Sequence, residues 1–324
     1  MAALGFSLRS EATLQTLTLD VLKSNEIEGE ILNPEQVRSS IARRLGIDTF
    51  GLVPVDRDVE GVVDVLFDAT QNFTDSLTKD RLCNWHAALF PTGRSSMYTI
   101  TVANWRTQDT GPMQVVSGAM GRERVHFQAP DASVLDTEMA LFLDWFNRAE
   151  PVDPVIKAAI AHLWFVTIHP FDDGNGRVAR TIADMQLARA DGSAQRFYSM
   201  SAQIRNERNA YYDALERTQR GDLDITDWLD WFLACLDRAL SATETTLSGV
   251  LKKAYYWEWL ATKALNERQR LLLNKFLDGF IGKLTTSKWA KTAKCSQDTA
   301  LRDIQQLVDQ GVLVKEDAGG RSTG

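Results

Sequence analysis

The stretch DPVIKAAIAHLWFVTI, residues 153–168, is apolar almost all the way round a helix. A helix without a polar face belongs at the centre of a bundle. It runs straight into HPFDDGNG, which breaks it, and RVARTIADMQLARADG then restarts a helix that closes at Gly192. Surrounding helices are legible on both sides. NPEQVRSSIARRLG offers Asn33 as N-cap, Pro34 at the first helical position and Gly46 past the end. VEGVVDVLFDATQNF, TKDRLCNWHAALF and SVLDTEMALFLDWFN continue the helical pattern, as do two long stretches near 201–220 and 225–262. One region reads as β: MYTITVANW, MQVVSG and RVHFQAP are β-branched or aromatic runs separated by glycine turns and ended by Pro130. They predict a hairpin rather than a full sheet, so the fold class is all-α with a small β-hairpin.

Composition removes several classes. At 324 residues the chain has room for one large domain and a smaller one. A net charge of -7 and a pI near 5.3 give it no global attraction to nucleic acid, although a local basic face stays open. Cys83, Cys235 and Cys295 are few, odd in number and far apart. They argue against a disulfide framework and a zinc site, and they fit a reducing cytosol. The longest strongly apolar run, AAIAHLWFVTI, is too short to span a bilayer, and MAALGFSLRS lacks a signal-peptide pattern. A cytoplasmic protein without membrane contact is expected. Any histidine chemistry must use His86, His126, His162 or His169.

Composition shifts near residue 265. NERQRLLLNKFLDGF, TTSKWAKTA, SQDTALRDIQQLVDQG and VLVKEDAGGRSTG read as three helices and a short hairpin, the order of a winged helix-turn-helix over 265–324. Seven basic residues from Lys283 onward (Lys283, Lys288, Lys291, Lys294, Arg302, Lys315, Arg321) face five acids (Asp298, Asp303, Asp309, Glu316, Asp317). That surplus is a weak electrostatic footprint. DNA binding and a protein-interaction or dimerisation role both remain open.

Polar chemistry concentrates in HPFDDGNGRVAR, His169 to Arg180. Gly174 and Gly176 let the backbone approach a ligand. The helix restarts there, so its free N–H groups and positive dipole end face the loop, and an anion is the natural occupant. Arg177 and Arg180 lie three apart on one helix face and can grip two phosphate groups. Asp173 offers an oxygen ligand to Mg²⁺, which takes its other ligands from phosphates. His169 is the one proton acceptor of the motif with a pKa near neutrality. These residues describe a nucleotide-phosphate site with a metal and a general base, suited to attack of a hydroxyl on phosphorus. Among the other histidines, His162 reads as a core residue and His86 as a packing or hydrogen-bonding one.

HPFDDGNGRVAR resembles the signature of Fic-domain proteins, His-x-Phe-x-Asp/Glu-Gly-Asn-Gly-Arg-x-x-Arg, at every specified position. RSSIARRLG, WHAALFPTG, MQVVSG, AHLWFVTIHPF and TALRDI extend the resemblance, which is to the bacterial branch with a C-terminal winged helix. It implies a Fic helical bundle over 47–262, with a flap at about 98–130, the motif at 169–180, and N-terminal helices over 1–46. It implies transfer of AMP from ATP to a Tyr, Ser or Thr hydroxyl of a protein target or of the chain itself, with Mg²⁺. In that scheme His169 deprotonates the hydroxyl and Asp173 holds Mg²⁺. Asn175 and the Gly174 and Gly176 backbone hold the phosphates. Arg177 takes the β-phosphate side, Arg180 takes the γ-phosphate, and Phe171 anchors the loop. Tyr212 and Gln219 are either base-pocket residues or ordinary helix-face residues. Met113, Gln114, Val115 and Val116 form the flap edge where a target would add as a strand. Relatives that phosphorylate instead carry Lys where this chain has Gly176, so AMP transfer is favoured.

In the same family Ser/Thr-x-x-x-Glu-Gly/Asn marks an inhibitory helix, and SNEIEG supplies Ser24, Glu28 and Gly29. Ser24 and Glu28 share a helix face. The resemblance implies that Glu28 pairs with Arg180 and blocks the γ-phosphate site, while Glu26 and Glu30 are expected to be solvated bystanders. In some relatives the same glutamate also positions a water that removes AMP. Relief of inhibition in the family is tied to assembly, so a homodimer is among the expected partners. The competing class is a transcriptional regulator that uses the Fic fold as a nucleotide sensor and the winged helix to bind DNA.

Overall fold

The all-round apolar segment forms helix α6 (Pro154–Ile168), with the Asp153 carboxylate accepting from the Val155 and Ile156 N–H groups and Pro154 in the first turn. It packs lengthwise against α7 (Asn175–Asp191), whose end is closed by Gly192 in the left-handed conformation. The computed structural model describes residues 6–47, 52–108, 111–117, 122, 124–149, 151–222, 224–277 and 283–314. The chain divides into two units, one built from Arg9–Ile47 and Val53–Thr246, the other holding Leu247–Gly324.

In the first unit α1 (Phe6–Ile27), α2 (Pro34–Arg44), α3 (Arg57–Gln71), α4 (Lys79–Leu89) and α5 (Leu135–Asn147) precede the central pair. After it come α8 (Met200–Asn206), α9 (Arg208–Arg220) and the start of α10 (Thr226–Leu260). Phe142, Phe146, Phe165, Phe171, Ile182, Trp228 and Phe232 are buried in one core around α6 and α7. His162 lies in that core, bonded at 2.9 Å to the Tyr211 hydroxyl, and burial pushes its pKa down to about 3. The stretch near 201–220 is two helices, parted at Glu207 (φ -110°, ψ 28°).

The β region also divides. Strands β1 (Arg94–Ser95) and β2 (Tyr98–Thr99) close on each other, and β3 (Gln114–Ser117) pairs antiparallel with β4 (Arg124–Gln128) with an irregular register after Val115. MYTITVANW therefore does not join the later hairpin. Several of its backbone donors are engaged elsewhere: Ile100 N–H donates to Gly93 O, Thr101 N–H to the Asp172 carboxylate and Ala103 N–H to the His86 ring. N–H groups spent on the neighbouring loop cannot also serve a ladder.

The second unit contains α11 (Glu267–Leu277), α12 (Thr286–Thr292) and α13 (Gln297–Asp309), with Leu260, Leu272, Trp289, Ala300 and Leu307 buried together. Lys294 takes a positive φ of 50° in the turn between α12 and α13, and Ser296 caps α13 through Thr299 N–H. Asp303 is buried and accepts from Arg268, Asn266 and Trp289, so one of the five acids counted against the basic residues faces inward. The expected wing falls largely on residues 315–324, including Lys315, Glu316, Asp317 and Arg321, which lie outside the described residues. No described helix is long and apolar enough to cross a membrane.

Candidate active site

α6 stops at His169, which adopts φ 51°, ψ 58° as the helix cap. A non-glycine residue held in this conformation is strained, and hydrogen bonds to the preceding turn help to hold it. Its N–H donates to Phe165 O at 3.0 Å, and Nδ1 lies 3.1 Å from Val166 O. A carbonyl can only accept, so Nδ1 carries the proton and Nε2 is the basic nitrogen. Burial, with the nearby Arg106 guanidinium, holds its pKa below 6.5, so the ring is neutral at neutral pH.

The loop that follows is braced from inside. Phe171 is fully buried, with its ring stacked on His86 (centroids 4.1 Å apart) and packed against Trp105. His86 accepts from Ala103 N–H at Nδ1 and donates from Nε2 to Asp173 O at 3.2 Å. Burial pushes its pKa down to about 4, which keeps that arrangement neutral. The Asn175 side chain accepts from Phe171 N–H at 2.9 Å and donates to Phe171 O at 2.8 Å. Both ends of the amide are thus used within the loop. Asn175 thereby braces the loop from within.

Gly174 has φ 79° and no side chain caps α7, so the first-turn N–H groups of α7 are available to an anion. A Cβ at Gly174 would meet the Phe90 ring at 2.8 Å. One at Gly176 would run into the Glu28 carboxylate and crowd Arg180 Nη1 at 3.2 Å. Asp173 accepts from Gly174 N–H at 2.6 Å through Oδ1 and from the Ser95 hydroxyl through Oδ2. Among the described residues no three His, Cys, Asp or Glu side chains cluster as a metal site. A single carboxylate beside an anion cradle suits a cation that takes its remaining ligands from phosphates and water.

Arg177 and Arg180 of α7 are buried and gripped by the end of α1 and the turn that follows it. Arg180 donates from Nε to Ser24 Oγ (3.0 Å) and from Nη2 to Ser24 O (3.0 Å) and Glu28 Oε1 (2.7 Å). Its Nη1 is buried with no hydrogen-bond partner. Arg177 donates to Glu30 Oε2 at 2.7 Å, stacks 4.8 Å over the Phe90 ring, and has a buried, unpartnered Nε. Glu30 is therefore no bystander. Gly29 at φ 87° reverses the chain, and Glu30 N–H bonds back to Asn25 O, so the acids on either side of Gly29 face α7. Burial outweighs Arg177 and raises the Glu30 pKa above the usual carboxylate range. Glu26 is not merely solvated either, since it pairs with Lys23 at 2.7 Å and Arg205 at 3.5 Å.

One turn before Ser24, Asp20 anchors α1. It accepts from the Ser199 hydroxyl at 2.5 Å and pairs with buried Arg196, which also meets Asp184 at 2.8 Å. Burial pushes the Asp184 carboxyl up to about 7. Arg208 donates to Ile27 O at 2.7 Å and stacks over Tyr212 at 5.1 Å. Gln219 donates to the Thr167 hydroxyl at 3.1 Å, so the two base-pocket candidates stand on one helix beside the end of α1 and the end of α6. On the flap, Met113 O accepts from Ala129 N–H, and Gln114, Val115 and Val116 lie on β3. The outer side of β4 is covered: Arg220 donates to Val125 O and His126 O, and Glu216 holds Arg124 and His126. A strand added to this sheet would have to join β3.

Residues 76–187 match the model of the Fic/DOC family, and residues 1–47 match that of a domain of unknown function, DUF4172. The protein adenylyltransferase Fic of Culex quinquefasciatus is 32% identical over 154 residues, 47% of this chain and 26% of that protein. This chain thus spans about a quarter of the length of the curated relatives it matches. In fold it is similar to a Fic family protein from Desulfovibrio desulfuricans G20, with a TM-score of 0.56 at 19% identity, over 99% of this chain and 88% of that one. A Fic domain containing signaling protein from Bacteroides thetaiotaomicron gives the same TM-score and identity over 76% of this chain and 92% of that one.

Proposed function

We propose that this chain, which carries a Fic/DOC domain behind a DUF4172 segment, is a self-inhibited protein adenylyltransferase. The observation that carries the reading is the state of Arg180. A buried guanidinium with one unpartnered donor, lying beside an uncapped helix start, is built for an anion, and the same chain fills it with Glu28.

In the proposed reaction ATP lays its phosphates on the first turn of α7, with Arg177 and Arg180 on the β- and γ-phosphates. Asp173 would hold Mg²⁺, which when bound would neutralise phosphate charge. The residues present fit that pair, since Asp173 is the carboxylate at the cradle and two arginine donors lack partners. Neutral His169 accepts the proton of a Tyr, Ser or Thr hydroxyl at Nε2 as that oxygen bonds to the α-phosphorus. The bond from the α-phosphorus to the bridging oxygen breaks, and pyrophosphate leaves. Lowering of the His169 pKa favours the base form at neutral pH, and positioning supplies most of the rate.

Purified wild type, Glu28→Gly and Glu28→Gly/His169→Ala proteins incubated with Mg²⁺ and either α-³²P-ATP or γ-³²P-ATP test the proposal. Strong self-labelling by Glu28→Gly, weak labelling by wild type and none by Glu28→Gly/His169→Ala are expected. Equal labelling by wild type and Glu28→Gly would remove the inhibitory part, and no labelling by any of them would remove the transferase part. Label introduced from γ-³²P-ATP but not from α-³²P-ATP would show phosphate transfer instead.

A further inference from the structure

Arg106 lies in the flap span ahead of β3 and outside every motif of the sequence, yet it is only 4% exposed. Its bonds go to three backbone carbonyls. The main-chain N–H donates to Pro170 O at 2.8 Å, Nε to His169 O at 2.8 Å and Nη2 to Pro130 O at 2.5 Å. Burial pushes its pKa down, so the charge is kept there at a cost. An apolar residue would fill the space more cheaply. What it could not do is donate in two directions from one rigid plane.

Those directions matter. His169 O belongs to the peptide that leaves the strained cap, and its orientation is coupled to the φ, ψ pair that aims the imidazole. Pro130 follows β4 and Ala129, whose N–H is bonded to Met113 O at the flap edge. One guanidinium therefore joins the exit of the flap to the backbone of the base.

We infer that Arg106 is a positioning residue for the proposed transfer: it locks the His169 backbone in its left-handed conformation and ties it to the flap. The inference rests on the adenylyltransferase reading for its catalytic consequence, and on geometry alone for the state of His169. Three charges act on the ring. Arg106 opposes protonation, while Asp173 and Glu28 favour it, and Nδ1 is held by Val166 O.

The test compares Arg106→Lys and Arg106→Gln in the Glu28→Gly protein, so that Glu28 is absent from every arm. Lysine keeps the charge but lacks the planar fork, and glutamine loses the charge. The maximal rate of self-labelling should fall by about ten- to a hundredfold in both. The affinity for a fluorescent ATP analogue should stay within about twofold. NMR titration of the His169 ring should show a higher pKa in Arg106→Gln than in the parent, with Arg106→Lys near the parent. Unchanged rates, or loss of ATP-analogue binding together with rate, would overturn the positioning role, the second by making Arg106 part of the scaffold. If the Glu28→Gly parent transfers no AMP, the transferase reading falls, and the His169 titration still decides whether Arg106 governs the ring.

Discussion

The two glutamates that reach α7 should be unequal, and the structure says by how much. Glu28 is 30% exposed in its side chain and meets an Arg180 that is 2% exposed, 2.7 Å away. With charge centres about 4 Å apart and an effective dielectric of about 20, the attraction is about 4 kcal/mol. Desolvation removes roughly half of that, leaving about 2 kcal/mol, or about thirtyfold in the fraction of Arg180 free for phosphate. Glu30 sits equally close to Arg177 but is 47% exposed. Burial of its carboxyl, with repulsion from Asp173 and Glu28, outweighs the arginine and raises its pKa. Its grip is therefore about 0.5–1 kcal/mol, the range of an exposed pair, or about two- to fivefold. Initial rates of self-labelling from α-³²P-ATP, measured below saturating ATP, should rise about thirtyfold in Glu28→Gly and about threefold in Glu30→Gln. Glu28→Gly/Glu30→Gln should approach a hundredfold if the two contacts act independently. A Glu30→Gln protein as active as Glu28→Gly would refute the ranking. A double variant no faster than Glu28→Gly would refute the second contact altogether.

Further outcomes follow from the same geometry. Asn175→Ala leaves Phe171 N–H and C=O buried without partners and should cost about 2–3 kcal/mol in urea unfolding, far more than an exposed substitution. Gly176→Ala in the Glu28→Gly protein should lower self-labelling about tenfold, because the added methyl crowds Arg180 Nη1 in the anion cradle; labelling at the Glu28→Gly rate would show that the cradle is not used. His86 and His162 are neutral in the fold, with pKa values pushed down to about 4 and about 3. A base with a depressed folded pKa keeps its full contribution above the unfolded value near 6.5 and loses it as pH falls toward the folded value. Unfolding free energy should thus drop by about 1.4 kcal/mol per histidine for each pH unit below about 6, down to about pH 4. A flat profile between pH 6 and pH 4.5 would exclude neutral burial of both rings.

What was legible in the sequence was whatever repeats at fixed spacing. The apolar run of α6, the restart at Asn175, and the caps Asn33, Pro34 and Gly192 all act on neighbours within a turn, so pattern suffices to find them. The pairing of Glu28 with Arg180 is legible only through the family resemblance of the two short motifs that hold them, and the two side chains lie 2.7 Å apart. Glu30 was missed because its direction depends on the positive φ of Gly29, a backbone fact that a helical wheel does not contain. The available signal was two acids on either side of a glycine and two arginines one turn apart. The motif implies a phosphate role for Asn175, and what its spacing does not reveal is the pair of bonds to the Phe171 backbone, four residues back. Arg106 left no trace at all. A cation that serves carbonyls has no complementary side chain to pair it with in a sequence.

The anchoring of α1 limits how the proposed inhibition could be lifted. Asp20 is 1% exposed and binds Ser199, Ser201 and Arg196, so it cannot leave its place without giving up one of the two carboxylates that pair with a buried guanidinium. Breaking such a pair costs about 3–5 kcal/mol, more than the roughly 2 kcal/mol held by Glu28. Arg208 adds a second fastening at Ile27 O. Lifting the whole helix is thus the expensive route. Rotation of the Glu28 and Glu30 side chains, around a Gly29 that already tolerates positive φ, is the cheap one. Asp20→Asn should consequently lower the unfolding free energy by about 3 kcal/mol while raising self-labelling less than Glu28→Gly does. A fully active Asp20→Asn protein of unchanged stability would mean that α1 is released as a unit and that the tip is not the hinge.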